Sequence, residues 1–368
     1  MNFYLPTRIV TGEGCIAKNA GMITALGKKC LIVTGRSSAV KCGALKDVTD
    51  VLDGKCEYTV YDKIDQNPTM ESCINGGKIA KEMGAEFIIG IGGGSPLDAA
   101  KAIAVFAKND IDEKRLYALD ITSDPLPVIA VGTTAGTGSE VTQVAVITAS
   151  DGKKKSFRGD KSFPVIAFGD VRYTEFMPDR VSRSTAVDAL SHCVESYFCK
   201  SANEFSRMHA LCGAKLILDA FSELEKSGEF TRGMRERIYL GSLHGGIAIS
   251  VTGTAFPHAL GYFLTELHGL PHGEACAVYL PEFILYNKEH ASELYAEFCR
   301  VTGYDADEFC RLTRVSLPIG RIDVTEAEYD SIRERWGTNS CLKKLYREHT
   351  PTELEDIVRK CVAQTQKI

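Results

Sequence analysis

Apolar residues gather in short runs through the first half of the chain. They appear at Cys30-Leu31-Ile32-Val33-Thr34, Tyr58-Thr59-Val60-Tyr61, Phe87-Ile88-Ile89-Gly90-Ile91 and Val128-Ile129-Ala130-Val131. Between them the apolar spacing becomes helical, as over residues 70–83 and 97–106. That alternation predicts a mainly parallel sheet flanked by helices. A β-rich stretch follows over 141–148 and again over 165–168. After Met177-Pro178-Asp179 the texture changes to long helix-compatible segments, at 184–199, 205–224, 231–252 and 291–302. The pattern predicts an α/β domain over residues 1–178 and an all-helical domain over 179–368, with the working site in the cleft between them.

Composition narrows the function classes. The 368 residues carry 43 Lys+Arg and 48 Asp+Glu, a net charge of −5, with 44% hydrophobic and 25% charged residues. Those proportions are those of an ordinary globular protein. With no basic block, neither nucleic acid nor an anionic membrane is expected as a partner. No apolar run approaches the roughly 18 residues of a spanning helix. The opening Met1-Asn2-Phe3-Tyr4-Leu5-Pro6 has neither the charged nor the apolar region of a secretion signal, so a cytoplasmic location is expected. Thirteen cysteines are spread thinly, with no CxxC pair, and read as reduced thiols serving as small apolar residues. Any metal is therefore expected on histidine and carboxylate.

Two glycine-rich stretches follow apolar strands. Gly90-Ile91-Gly92-Gly93-Gly94-Ser95-Pro96-Leu97-Asp98 opens a helix, with Ser95 placed to cap it and Pro96 to fit its first turn. Glycines admit an anionic group close to the backbone, and free N–H groups at a helix start favour phosphate. The stretch is neither the dinucleotide fingerprint GxGxxG nor a P-loop. Gly132-Thr133-Thr134-Ala135-Gly136-Thr137-Gly138-Ser139 follows the Val128 run and adds hydroxyl donors at a second strand end. Together the two loops suit a pyrophosphate and a nicotinamide ribose.

The helical half carries candidate metal ligands. Asp188 and His192 are four apart in Val187-Asp188-Ala189-Leu190-Ser191-His192 and share a helix face. His258 follows in Phe256-Pro257-His258, and His268 and His272 flank Gly269-Leu270-Pro271. These positions hold four of the chain's eight histidines, among small and apolar neighbours where an unpaired imidazole or carboxylate is costly. One carboxylate and three imidazoles suit a divalent first-row ion, iron(II) or zinc.

The combination of GGGSPLDAAKA, TTAGTGSEVT, VDALSHCVESY and HALGY…HGLPHG resembles the iron-containing (group III) alcohol dehydrogenase family over nearly the whole chain. The resemblance implies a Rossmann-like N-terminal domain and a helical C-terminal domain, the dehydroquinate synthase-like architecture. It also implies a nicotinamide cofactor, one divalent metal, taken as Fe(II) with zinc as the other choice, and a homodimer. Position by position, it implies metal ligands at Asp188, His192, His258 and His272. Cofactor contacts are implied at Gly92, Gly93, Gly94, Ser95, Asp98, Thr133, Thr134, Ser139 and Lys155. His268 stands where a proton-transfer or ligand-orienting imidazole is expected, since the chain lacks a histidine four residues from His258.

Hydride transfer between NAD(P) and a small alcohol or aldehyde is thus the leading expectation. The alternatives are a zinc polyol dehydrogenase, a sugar-phosphate cyclase on the same fold, and a nucleotide-binding module with a structural metal. The helical half shows no Lys/Arg cluster beside its histidines, which lowers the cyclase reading. The resemblance places Gly35 where NAD-preferring relatives often carry Asp. With Arg36, Ser37 and Ser38 next to it, NADP(H) is expected to be preferred over NAD(H). Phe256, Tyr262, Phe263 and Leu270 are candidates for an apolar substrate pocket or for core.

Overall fold

The apolar runs at Cys30, Phe87 and Val128 become parallel strands buried on both faces, whereas the Tyr58 run becomes a largely exposed strand at the sheet edge. In a computed structural model, which describes residues 2–337, 339 and 341–365, six strands form one sheet. They are β1 (Arg8–Thr11), β2 (Lys29–Gly35), β3 (Glu57–Ile64), β4 (Phe87–Gly92), β5 (Val128–Gly132) and β8 (Ile166–Gly169). Their order is β1-β8-β5-β4-β2-β3, and every pairing is parallel. Two further strands, β6 (Val144–Thr148) and β7 (Lys154–Arg158), form an antiparallel pair.

Alternation along each central strand divides the core. Leu31, Val33, Ile88 and Val128 pack on one side with the Met70–Glu82 and Gly94–Lys108 helices. Cys30, Ile32, Phe87, Ile89, Ile91, Ile129 and Val131 pack on the other. A period of two on a sheet covered on both faces leaves no polar position, which is why these strands read as solid apolar runs.

The chain divides into two compact units, Tyr4–Met177 and the part that begins at Pro178 and also takes in Phe3. The second is helical, with Asp179–Tyr197, Glu204–Ser227, Arg232–Thr252, Phe256–His268 and His272–His290 as its leading members. The Asp179–Tyr197 helix starts earlier than the sequence spacing predicts, because Pro178 precedes it in extended conformation and Asp179 favours a first turn. Among the described residues no single helix is long and apolar enough to cross a membrane.

Candidate metal centre and cofactor loops

The Asp179–Tyr197 helix is buried over most of its length, and its inward face carries Asp188, His192 and Glu195. Spacings of four and seven residues bring the three side chains to one side. His258 comes from the start of the Phe256–His268 helix. That helix ends at Gly269, which adopts the left-handed conformation (φ 65°), and His272 opens the next helix after Pro271.

The donors converge on one carboxylate oxygen. Asp188 Oδ1 lies 3.5 Å from His258 Nε2, 3.7 Å from His272 Nε2 and 3.9 Å from His192 Nε2. The Nε2 atoms of His192 and His258 are 2.9 Å apart. Asp188 Oδ1 is buried and accepts no hydrogen bond. A buried carboxylate oxygen without a donor is costly, and a cation among these atoms would satisfy it. Burial alone would push the Asp188 carboxyl up, yet His192, His258 and His272 hold it well below the usual carboxylate range. One oxygen and three imidazole nitrogens match the preferences of iron(II) and zinc, so the residues present fit the implied ion.

Glu195, absent from the sequence-derived set, fixes the cluster from behind. Fully buried, it accepts from His258 Nδ1, the Ala255 N–H and the Ser191 hydroxyl, each at 2.5 Å. Donation from His258 Nδ1–H leaves its Nε2 lone pair facing His192 and Asp188. Burial would raise the Glu195 carboxyl, but the His258 charge and these donors hold it below its ordinary value. Its signal was the i, i+7 spacing from Asp188. Cys276 was also missed: its thiol, one turn beyond His272, belongs to a group of four in which Asp188, His258, His272 and Cys276 offer donor atoms all within 4.8 Å of one another. A search for CxxC pairs does not find a lone thiol that completes a histidine and carboxylate set.

His268 Nε2 faces Glu328 Oε1 at 3.4 Å, and its ring stands edge-on to Phe263. It lies at the far end of its helix, ten residues along from His258. Phe256 and Phe263 are core, and Phe256 meets Phe283 and Tyr286 edge-on. Tyr262 instead stacks on the His272 ring, 5.4 Å between centroids.

Close backbone packing sets the spacing of the donors. A Cβ on Gly273 would stand 1.9 Å from the Ser184 carbonyl oxygen. His272 and Asp188 are therefore positioned by two helices in direct backbone contact. Gly273→Ala is expected to push these helices apart, costing at least the roughly 1–3 kcal/mol of an overpacked core. Metal retained per chain after dialysis should fall with it, and native metal content together with a native melting temperature would refute this.

In the other unit the two glycine loops pack on each other. A Cβ on Gly93 would stand 2.9 Å from Thr134 Oγ1, and one on Gly94 would stand 2.9 Å from Thr137 Cγ2. The Thr133 N–H donates to the Gly92 carbonyl at 2.9 Å. Gly93, not Ser95, occupies the N-cap of the Gly94–Lys108 helix, and no side chain caps it. Ser95 Oγ accepts the Asn67 N–H at 3.2 Å instead. Uncapped first-turn N–H groups suit a phosphate.

Asp98 and Ser139 are engaged within the fold. Ser139 Oγ donates to Asp98 Oδ1 at 2.6 Å, Asp98 Oδ2 accepts the Val146 N–H at 2.9 Å, and the buried Lys101 ammonium donates to Ser139 Oγ at 2.8 Å. Lys155, on β7, pairs with Asp151 at 2.9 Å and lies 5.8 Å from the centre of the Tyr117 ring. Gly35 ends β2, Arg36 donates to Asp65 through Nε (2.8 Å) and Nη2 (3.1 Å), and Ser37 precedes the short Ser38–Lys41 helix.

Residues 6–171 match the iron-containing alcohol dehydrogenase family, and residues 182–314 match the C-terminal domain of the same family. The chain is 32% identical over 298 residues to lactaldehyde reductase of Escherichia coli (strain K12), covering 79% of this chain and 77% of that protein. It is 31% identical over 330 residues to 1,3-propanediol dehydrogenase of Citrobacter freundii, covering 88% and 82%. The crystal structure of an iron-containing alcohol dehydrogenase from Thermotoga maritima aligns with a TM-score of 0.90 at 34% identity, covering 98% of this chain and 99% of that one. These likenesses, with a donor cluster suited to a divalent ion, decide between the readings left open by the sequence: the chain belongs to the iron-containing alcohol dehydrogenase family, oxidoreductases that move hydride between a nicotinamide cofactor and an alcohol/aldehyde pair.

Proposed function

We propose that Asp188, His192, His258 and His272 hold one divalent ion, iron(II) or zinc, at which a small primary alcohol and its aldehyde interconvert. The observation that carries this reading is the buried, donor-less Asp188 Oδ1 faced by three imidazole Nε2 atoms. When bound, the ion supplies Lewis acidity toward the substrate oxygen. The protein supplies position: Glu195 fixes the His258 ring, and Tyr262 covers the His272 face. The Tyr4–Met177 unit takes the nicotinamide cofactor on its paired glycine loops, with Asp98 and Ser139 bracing them from within. Relatives named for lactaldehyde and 1,3-propanediol support a short, polar substrate. Chelator-stripped protein is expected to reduce short aldehydes at under about a tenth of the rate of iron- or zinc-reloaded protein. Full activity of the stripped protein overturns the metal reading.

We further propose that NADP(H) is the preferred cofactor. Gly35 brings no acidic group to the end of β2, and Arg36 offers a bidentate cation. Arg36 is shared with Asp65, but both side chains are well exposed, and solvent screens an exposed pair of this kind to little net strength. A 2′-phosphate can take it over at small cost. Asp65→Asn is expected to lower KM for NADPH, and Gly35→Asp to raise it about tenfold while sparing NADH, the size of one charge-assisted contact. The nearest atom to a Cβ at Gly35 is the Ile64 carbonyl oxygen at 3.4 Å, so the substitution fits. Steady-state kinetics with both cofactors decide it; a native kcat/KM higher for NADH counts against the proposal.

A further inference from the structure

The metal centre holds one donor more than the resemblance supplies. Cys276 is fully buried and sits four residues after His272, so both side chains leave the same face of the His272–His290 helix. Its sulfur lies in the group with Asp188, His258 and His272 whose donor atoms are all within 4.8 Å of one another. Of the thirteen cysteines, Cys30 and Cys73 lie in the apolar core clusters, as buried thiols ordinarily do. Cys276 instead faces a carboxylate and two imidazoles.

Asp188, His258 and His272 are thus common to two overlapping donor sets. His192 completes one, with oxygen and three nitrogens. Cys276 completes the other, with oxygen, two nitrogens and sulfur. The two sets differ in softness, and softness is what separates iron(II) from zinc at otherwise similar sites.

We propose that Cys276 is a metal ligand of this protein and that its sulfur biases the centre toward zinc over iron. The inference rests on the metal-site reading above. Binding exchanges the thiol proton for the metal: the S–H bond breaks, a sulfur–metal bond forms, and the proton leaves to solvent.

Cobalt(II) tests both parts without recourse to activity. Metal-stripped protein is loaded with one equivalent of cobalt(II) and its absorption recorded. A thiolate ligand adds a sulfur-to-cobalt charge-transfer band in the near ultraviolet, whereas oxygen and nitrogen ligands give only the weaker visible bands. The expected result is a charge-transfer band in the native protein that is lost in Cys276→Ser while the visible bands remain. In the same variant, competition between equal zinc and iron(II) should show the zinc-to-iron ratio bound falling by about tenfold or more.

Visible cobalt bands without the charge-transfer band in the native protein overturn the inference and leave the metal site standing. A charge-transfer band that persists in Cys276→Ser also overturns it. Failure of the native protein to bind cobalt, zinc or iron overturns the metal-site reading itself. Should Cys276→Ser not fold, alkylation of Cys276 in native protein, mapped by peptide mass, replaces it. Zinc at one equivalent should then slow alkylation at least about tenfold relative to iron(II), and equal protection by both ions overturns the preference.

Discussion

Glu195→Ala is expected to release the metal and to destabilise the helical unit, the largest effect of any single substitution outside the donors. The carboxylate is fully buried and accepts three hydrogen bonds, from His258, the Ala255 N–H and Ser191. Alanine leaves all three donors unsatisfied and the His258 charge without its counterion. Removing one partner of a buried ionic pair costs about 3–5 kcal/mol. Loss of the group that orients a metal-binding imidazole lowers metal affinity about 10–100-fold. Glu195→Gln keeps the volume and one acceptor oxygen and should fall between native and alanine. Thermal unfolding of stripped protein reads the first effect and chelator competition the second. A Glu195→Ala protein that matches native in both would falsify this account.

The same pair sets a pH dependence for the metal-free protein. Glu195 is held below its ordinary carboxyl value, so its contribution is complete above about 4.5 and is lost as pH falls through the depressed value. His258 moves the other way. Burial disfavours its charged form, but Cys276, Glu195 and Asp188 outweigh burial and raise it well above 6.5. Its contribution is complete below 6.5 and is lost as pH rises through the raised value. Metal competes with that proton, so metal affinity should climb with pH over the range in which His258 gives it up.

What the sequence shows depends on whether a side chain's task leaves a periodic trace. Strands β2, β4 and β5 are legible because a sheet covered on both faces demands apolar residues at every position. β1 spans only Arg8–Thr11 at the sheet edge, and β7 is the polar run Lys154–Arg158, so neither leaves such a trace. Asp188 and His192 announce themselves by their spacing on a helix. Glu195 lies on the same face, but its importance comes from His258, sixty-three residues away, and no local pattern encodes that partner. Asp98 shows the converse. It stands in a cofactor-type motif, and the fold spends both of its oxygens on Ser139 and Val146.

Lys101→Met is expected to be the most damaging single change in the Tyr4–Met177 unit. Its side chain is fully buried, and Nζ donates to Ser139 Oγ (2.8 Å), the Val144 carbonyl (2.7 Å) and Thr142 Oγ1 (3.4 Å). Asp98 Oδ1 lies 3.6 Å away and is the countercharge. Burial lowers the lysine and raises the aspartate from their ordinary values; their mutual attraction opposes both shifts, and Glu140 beside the lysine opposes the lysine's. Neither member is tolerable alone. The network also ties the Gly94–Lys108 helix, which follows the first glycine loop, to residues 139–146, which follow the second. Methionine fills the volume but strands Asp98 without a cation, at a cost of about 3–5 kcal/mol. Urea unfolding should show that loss, and calorimetric titration should show weaker binding of both nicotinamide cofactors. Adding Asp98→Asn to Lys101→Met removes the stranded charge, so the double variant should be more stable than the single one. Equal stability of the two would mean that the charge pair is not what joins the loops.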